Sequence, residues 1–283
     1  MTSSASLEEV ACPYCGSEDR DSFATERGFF AVRCSRCRFI YVSPRPSLGA
    51  IDQAVRSGAH GDESDGLQVS ARRVSSKVGR YSEALARLFA DVWSRGKPVT
   101  WLDIGAGYGE LVEAVNRLAP PGSVVEGLEP MRPKAEAARR RGLRIVEDYL
   151  RPTRPKVDVV SFIDVFSHIP DFRTFLADVR QVLKPGGQLF METGNLADVE
   201  ARSEFADELG LPDHLGFAGE RHLRGYLEEA GFEVLIIERQ RVDGAVQFAK
   251  VVVKKLLGRP ACLRLPYTSR YRQLLIRARL RVE

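Results

Sequence analysis

The chain has 283 residues, with 42 lysines and arginines against 38 aspartates and glutamates and a formal net charge of +4. That length accommodates one sizeable α/β core and a small appendage, and so balanced a charge argues against a general polyanion binder. No apolar run approaches the ~20 residues that span a bilayer, and the polar, acidic opening is unlike a secretory leader, so a cytoplasmic protein is expected.

Four of the five cysteines fall between Cys12 and Cys37, while Cys262 stands apart. This clustering is metal arithmetic rather than a secreted disulfide framework. The pairs sit in two turns, CPYCGS and CSRCRF, within a segment too poor in large apolar residues to fold by burial alone. The spacing C-x2-C-x18-C-x2-C suits four thiolates, Cys12, Cys15, Cys34 and Cys37, on one tetrahedral zinc ion. Four thiolates close the shell, so the expected role is structural, with metal-binding free energy serving as folding free energy. Around the cysteines, Arg33, Arg36 and Arg38 are set against Glu18, Asp19, Asp21 and Glu26, a mixed surface that reads as solvated rather than as one that reads nucleic acid.

Next come SPRPS and GAHGDESDG, which read as turn and linker chemistry. A helix is expected over 70–93, where Tyr81, Leu85, Leu88, Phe89 and Val92 recur at three- and four-residue steps. Beyond Pro98 the pattern alternates as a doubly wound parallel sheet requires. Strands are expected over 99–104, 124–128, 143–146, 157–163 and 188–192, and helices over 110–118, 133–141 and 172–183. After an insertion at about 194–221, a helix is expected over 222–230. Two apolar runs, 232–237 and 246–253, flank Asp243-Gly244 and read as a terminal β-hairpin. The expected organisation is a zinc ribbon over 1–45, a linker and helical cap region over 46–98, and a cofactor-binding domain over 99–283.

Directly after the strand WLDI come Gly105, Gly107 and Gly109, which permit a tight turn and close approach of a ligand to the backbone. A nicotinamide dinucleotide calls for G-x-G-x-x-G with a pyrophosphate at the helix start. Here the third glycine comes one place early and Asp103 precedes the first. A carboxylate beside a phosphate is unfavourable; it suits a cofactor bearing an ammonium group and a sulfonium centre. Glu129, in GLEP, ends the second strand where a carboxylate can accept both hydroxyls of a ribose. Asp148, after the third strand, is placed to take an adenine amino group.

In LDIGAGYGE, GLEP, Glu147-Asp148-Tyr149, VDVVSFIDVFSHIPD and LKPGGQLFMETGN, in that order, the chain resembles the class I S-adenosylmethionine-dependent methyltransferases. The resemblance covers roughly 99–253 and implies an α/β, Rossmann-like doubly wound sheet of seven strands, the terminal hairpin supplying an antiparallel seventh beside the sixth. It implies that Gly105, Ala106 and Gly107 line the methionine portion and that Asp103 helps hold its amino group. Glu129 and Pro130 would lie at the ribose, Asp148 and Tyr149 at the adenine, and Ile163 and Asp164 near the reacting methyl. With CSRCRFIYVSPRP in front, the chain is similar to bacterial methyltransferases with an amino-terminal zinc ribbon that tailor sugars and secondary metabolites. That implies a small-molecule acceptor, methylated on an oxygen of a sugar or natural-product intermediate.

An alcohol acceptor must lose a proton, so a base is sought. His168 lies four residues after Asp164, and His214 lies in LPDHLGF within the insertion expected to cover the site. Either imidazole suits the role; the competing roles are packing the next helix for His168 and holding the lid for His214. His222 reads as a helix cap, and His60 lies in an acidic loop. Glu192 and Asn195 are candidates for substrate contact or for turn chemistry. Arg264, Arg270, Arg272, Arg277, Arg279 and Arg281 read as a solvated face, to which a phosphate-bearing or carrier-bound acceptor would give a further role. The rival readings are an RNA methyltransferase and a non-catalytic interaction protein.

Overall fold

The computed structural model describes residues 7–60, 67–68, 74–205, 207–241, 245–258 and 269–282. The cysteine segment forms an antiparallel meander of β1 (Arg20–Glu26), β2 (Phe29–Cys34) and β3 (Ile40–Val42). Strands β1 and β2 meet at Arg27-Gly28, whose φ angles of 49° and 78° make the two-residue turn that matches strand twist.

The stretch read as linker contains a helix, α1 (Leu48–Ser57), which buries Ile51 and Ala54. Only these two of its residues are buried, and the neighbouring prolines and glycines hid it. In place of one helix over 70–93 there are two, α2 (Ser76–Leu88) and α3 (Ala90–Trp93), broken at Phe89; residues 70–73 lie outside the described residues. Tyr81, Leu85, Leu88, Phe89 and Val92 are all buried, as their spacing required. Phe89 packs on Trp101, with ring centroids 5.1 Å apart.

Then follow β4 (Thr100–Ile104), α4 (Glu110–Leu118), β5 (Val124–Leu128), α5 (Arg132–Arg139), β6 (Ile145–Val146), β7 (Val157–Ile163), α6 (Phe172–Val182) and β8 (Leu183–Gly194). After the insertion come β9 (Gly216–Phe217), α7 (Glu220–Glu229), β10 (Phe232–Arg241), α8 (Ala245–Leu256) and β11 (Arg272–Leu280). The main sheet runs β6-β5-β4-β7-β8-β11-β10. Its first five strands are parallel, and β11 is antiparallel to both neighbours. Strand order reverses between β4 and β7, so the ligand crevice of such a sheet opens at their carboxyl ends.

Two expectations about the end of the chain fail. The run 246–253 is helical: Phe248, Val251 and Val252 are half-buried while Lys250, Lys254 and Lys255 are exposed, a helix period that overrides the β-branched run. Asp243-Gly244 lies outside the described residues. The antiparallel seventh strand is instead β11, drawn from the arginine-rich tail and inserted between β8 and β10. Leu274, Leu275, Ile276, Ala278 and Leu280 are buried there because both faces of a central strand are covered. The arginines disguised it. Arg277, 5% exposed, lies over the Phe89 ring and donates to both Asp91 oxygens at 2.6 and 2.9 Å. Arg279 pairs with Glu233, and Arg272 donates to the carbonyls of Ser269 and Tyr271. These side chains are therefore committed within the protein; Arg264 lies outside the described residues.

The insertion does not hang free. Strand β9 pairs antiparallel with β3 and completes a four-stranded sheet of order β9-β3-β2-β1. Ala31, Ile40 and Val42 share a buried cluster with Leu196, Val199, Leu209 and Leu211, so the cysteine module and the insertion have a common core. Among the described residues no helix is long and apolar enough to cross a membrane.

Candidate active site

The turn from β4 into α4 carries the glycines. Gly107 has φ +56° and nothing within 4 Å of where a Cβ would stand, which leaves the backbone open to a ligand. At Gly105, also left-handed, a Cβ would meet Val165 Cγ2 at 2.5 Å. The Ala106 amide donates to the Leu128 carbonyl at 2.8 Å, tying the turn to β5. Glu129 is 6% exposed; its oxygens accept the Gly107 N–H at 2.7 Å and the Met131 N–H at 2.8 Å. Carboxylate oxygens have lone pairs to spare beyond these, so hydroxyl donors can still be accepted. Pro130 continues the same turn, half-buried.

Asp103 is 2% exposed and accepts one hydrogen bond, from Ser161 Oγ at 2.7 Å, Ser161 itself being held by Trp101 Nε1 at 2.8 Å. Burial pushes its carboxyl up to about 7, and the charge of Glu129 adds to the effect. A buried carboxylate with no cation beside it among the described residues is what a ligand ammonium group would neutralise. Together with the open space at Gly107, this fits an S-adenosylmethionine-type cofactor.

At the adenine end the residues are less free. Asp148 pairs with Arg151 at 2.9 and 3.1 Å and accepts the Tyr149 N–H, and Arg151 holds its carboxyl below the ordinary range. Tyr149 lies near Asp52, whose carboxyl it holds below the ordinary range, and under the Arg56 guanidinium, 4.8 Å from the ring centroid. Helix α1 thus forms a wall here that the sequence did not suggest.

At the carboxyl end of β7, Ile163 is half-buried and Asp164 adopts φ +56°. A left-handed non-glycine residue is strained, and such strain concentrates at functional sites. The Asp164 amide donates to the Glu192 carbonyl and its carboxylate accepts Gln273 Nε2, both at 2.9 Å. Glu192 is 2% exposed: Oε1 accepts from Arg80 at 2.8 Å, while Oε2 has no partner among the described residues. Burial, and then the charge of Asp164, raise its pKa. Arg80, Tyr81, Tyr271 and Gln273 complete this polar wall. None of them was expected at the site: Tyr81 read only as part of the apolar face of its helix, and the others lie on α2 and β11 or beside it, far from any motif. Asn195 proves to be a turn residue: its Oδ1 accepts the Arg272 N–H at 2.6 Å and its Nδ2 donates to Asp198.

His168 and His214 come together, with ring centroids 4.7 Å apart. His168 Nδ1 meets the Asp213 carbonyl at 2.9 Å and its carboxylate at 3.4 Å; His214 Nδ1 meets the Leu209 carbonyl at 2.6 Å. A carbonyl only accepts, so each Nδ1 carries the proton and each neutral ring presents a basic Nε2. Burial lowers the His214 pKa, and the neighbouring His168 lowers it further. Against its own burial, the hydrogen bond and charge of Asp213 raise His168. At neutral pH the pair therefore favours a neutral His214. The ligand atoms of His168, Asp213 and His214 lie within 4.8 Å of one another, but the carboxylate flanks the Nδ1 edge of His168. It orients that ring rather than sharing an ion with its Nε2.

The four cysteine sulfurs converge within 4.8 Å, with the pairs Cys12–Cys37 and Cys15–Cys34 at 3.5 Å. A tetrahedron of Zn–S bonds near 2.3 Å has edges of about 3.8 Å. Burial pushes the Cys12 thiol up to about 11, so ionising all four requires a cation among them; the donor set fits zinc. His222, 1% exposed, caps α7 by accepting the Gly219 N–H at 2.9 Å, and its Nε2 donates to the Cys37 carbonyl at 2.8 Å. It is the expected cap and also a tie between the cysteine module and α7.

Comparison with known proteins agrees with this geometry. Residues 72–236, more than half the chain, match the family model of a methyltransferase domain. The ubiquinone biosynthesis O-methyltransferase of Vibrio atlanticus (strain LGP32) is 32% identical over 110 residues, covering 35% of this chain and 44% of the relative. Its human mitochondrial counterpart is 34% identical over 116 residues, covering 35% and 31%. The match thus spans less than half the length of either relative. Magnesium protoporphyrin IX methyltransferase from Synechocystis PCC 6803, solved with S-adenosylhomocysteine bound, superposes with a TM-score of 0.48 at 15% identity over 72% of this chain and 83% of that one. From the match over 72–236 and a sheet whose antiparallel seventh strand lies between the fifth and sixth, the chain belongs to the methyltransferase-domain family, in its class I S-adenosylmethionine-dependent form.

Proposed function

We propose that the protein methylates an oxygen of a small molecule, a sugar or natural-product intermediate, with His214 accepting the proton of the hydroxyl. The observation that carries this reading is the histidine pair, each Nδ1 committed to a backbone carbonyl, beside the strained Asp164. The O-methyltransferase names of the partial relatives point the same way.

When bound, S-adenosylmethionine supplies an electrophilic methyl group on a sulfonium centre. Asp103 holds the ammonium group and Glu129 the ribose hydroxyls, while Tyr149, braced by Asp52, walls the adenine end. For Asp148 to reach an adenine amino group it must release Arg151. An exposed pair of that kind is screened by solvent and adds little stability, so the exchange is cheap. Asp164 and Glu192 supply acceptors for hydroxyl groups on the substrate, and Arg80 keeps one Glu192 oxygen occupied. His214 Nε2 takes the acceptor proton; burial keeps His214 neutral, and any positive charge that Asp213 stabilises on His168 adds to that effect. Four-thiolate zinc is structural in this reading.

Support for a small acceptor over RNA comes from the module's arginines. Arg33 donates to the carbonyls of Val199 and Glu200 at 2.8 Å, and Arg38 pairs with Glu200 at 2.9 Å. Calorimetric titration of the zinc-loaded protein with S-adenosylhomocysteine is the first test, and absence of binding by folded protein sinks the reading. Steeply salt-dependent RNA binding would replace the small acceptor by RNA, and cofactor binding without methylation of any hydroxyl acceptor would favour a non-catalytic role.

A further inference from the structure

We infer that Glu26, at the tip of the first hairpin of the cysteine module, is a positioning residue for His214: it holds the loop whose carbonyl fixes the tautomer of that imidazole. The inference rests on reading His214 as the base.

The chain of contacts is continuous. Glu26 ends β1 and faces Phe29 across the Arg27-Gly28 turn, which projects it beyond the sheet. Its side chain is 14% exposed. Oε1 accepts the Leu209 N–H at 2.6 Å, and Oε2 accepts the N–H groups of Gly210 at 2.9 Å and Leu211 at 3.4 Å. Three successive amides converging on one anion form a nest, and hydrogen bonds to a charged acceptor are the stronger kind. Arg27 adds a grip on the same loop through the Leu211 carbonyl at 3.4 Å and the Glu208 carboxylate.

The loop passes this order on. The Leu209 carbonyl accepts His214 Nδ1, and the Gly210 carbonyl accepts the His214 amide at 3.1 Å. A Cβ on Gly210 would stand 3.2 Å from His214 Nδ1, so loop and ring are in contact. On the far side of the histidine, the Leu215 carbonyl accepts the Val42 N–H at 2.9 Å, and β9 pairs with β3. His214 is thus held before and after by the cysteine module, some 180 residues away in sequence. Freed from Glu26, Leu209 to Leu211 would have three amides to satisfy elsewhere. Once Leu209 turned, the Nδ1–H form would lose its partner and the Nε2–H form, whose Nε2 has no lone pair for a substrate proton, would compete.

Long-range nitrogen–proton NMR of the imidazoles, read beside steady-state kinetics, tests this on the full zinc-loaded chain. In the wild type His214 should show a single Nδ1–H tautomer with a slowly exchanging proton; an Nε2–H or a rapidly averaged ring overturns the proposal, whether or not any variant folds. Glu26→Gln, which keeps the shape and removes the charge, should mix the His214 tautomers and lower kcat tenfold or more, with KM for S-adenosylmethionine within twofold. In a His214→Gln background the same change should add less than twofold. An unchanged His214 spectrum in Glu26→Gln, or an equal loss in both backgrounds, contradicts positioning through His214. Full activity in His214→Gln alone defeats the base reading instead, leaving the spectrum to decide whether Glu26 holds the ring.

Discussion

Apart from the α1 wall at its adenine end, the cofactor side of the site comes from one continuous stretch, Asp103 to Asp164, in which each strand of the sheet delivers one acidic or glycine-rich turn. The histidine side comes from three separated pieces: Ser167-His168 after β7, residues 207–217 of the insertion, and the β1–β2 hairpin of the cysteine module. The first stands on parallel strands whose hydrogen bonds do not involve the module. The second has no such support, and its carbonyls are aimed by a domain-sized distance in sequence. The two sides should therefore fail separately, the cofactor side with its own acids and the histidine side with the metal.

The sharpest way to break that contrast is to remove the metal. If the four thiolates hold zinc as proposed, Cys34→Ser, or chelation, should lower turnover by about 100-fold or more, because metal binding and folding of such a module are one equilibrium. Affinity for S-adenosylhomocysteine should stay within threefold by calorimetry; a parallel collapse of both would merge the two sides into one. Next in size, His214→Gln should cost about 10²–10⁴ in kcat, again with cofactor affinity unchanged. The pH profile sharpens the assignment. The lowered pKa of His214 puts the acidic limb of kcat/KM below pH 6.5. Since the His168 charge contributes to that lowering, His168→Gln should move the limb to higher pH, and a limb that stays fixed removes His214 from the titration.

On the cofactor side, Asp103→Asn should weaken S-adenosylhomocysteine tenfold or more, about 1.4 kcal/mol. Asp103 is raised to about 7 in the free protein, so its stability contribution is complete at low pH and is lost as pH rises through 7. A ligand ammonium group favours the ionised form; binding should tighten as pH rises through 7 and release a proton below it. Calorimetry in buffers of different ionisation enthalpy reads that proton, which should vanish in the asparagine variant. The mildest change is Gly210→Ala, at φ +75° and against the His214 ring. Strain of about 1 kcal/mol should cost a severalfold loss of kcat with no effect on cofactor affinity.

How much was legible in the sequence follows the same division. Glycines, Asp103, Glu129 and Asp164 could be read in order because each sits at a fixed place in a strand-turn-helix repeat, and the four cysteines because spacing alone defines their chemistry. Both histidines were found as candidates, but not their contact, which depends on how the insertion folds back. Glu26 read only as one acid in a mixed surface, since nothing local says that its partners are amides near residue 210. Strand β11 was hidden by arginines that a central position neutralises through Asp91, Glu233 and aromatic stacking, and α8 by a valine run whose lysines keep helical time. Long-range pairing decided the histidine contact, Glu26 and β11, and a local helical period decided α8.

The most direct test of two separately founded halves is titration of zinc-loaded and zinc-stripped protein with S-adenosylhomocysteine, with turnover measured on the same samples. The expected result is one site per chain at similar affinity in both, and turnover only in the zinc-loaded protein. Cofactor binding that disappears with the zinc, or turnover that survives without it, would contradict it.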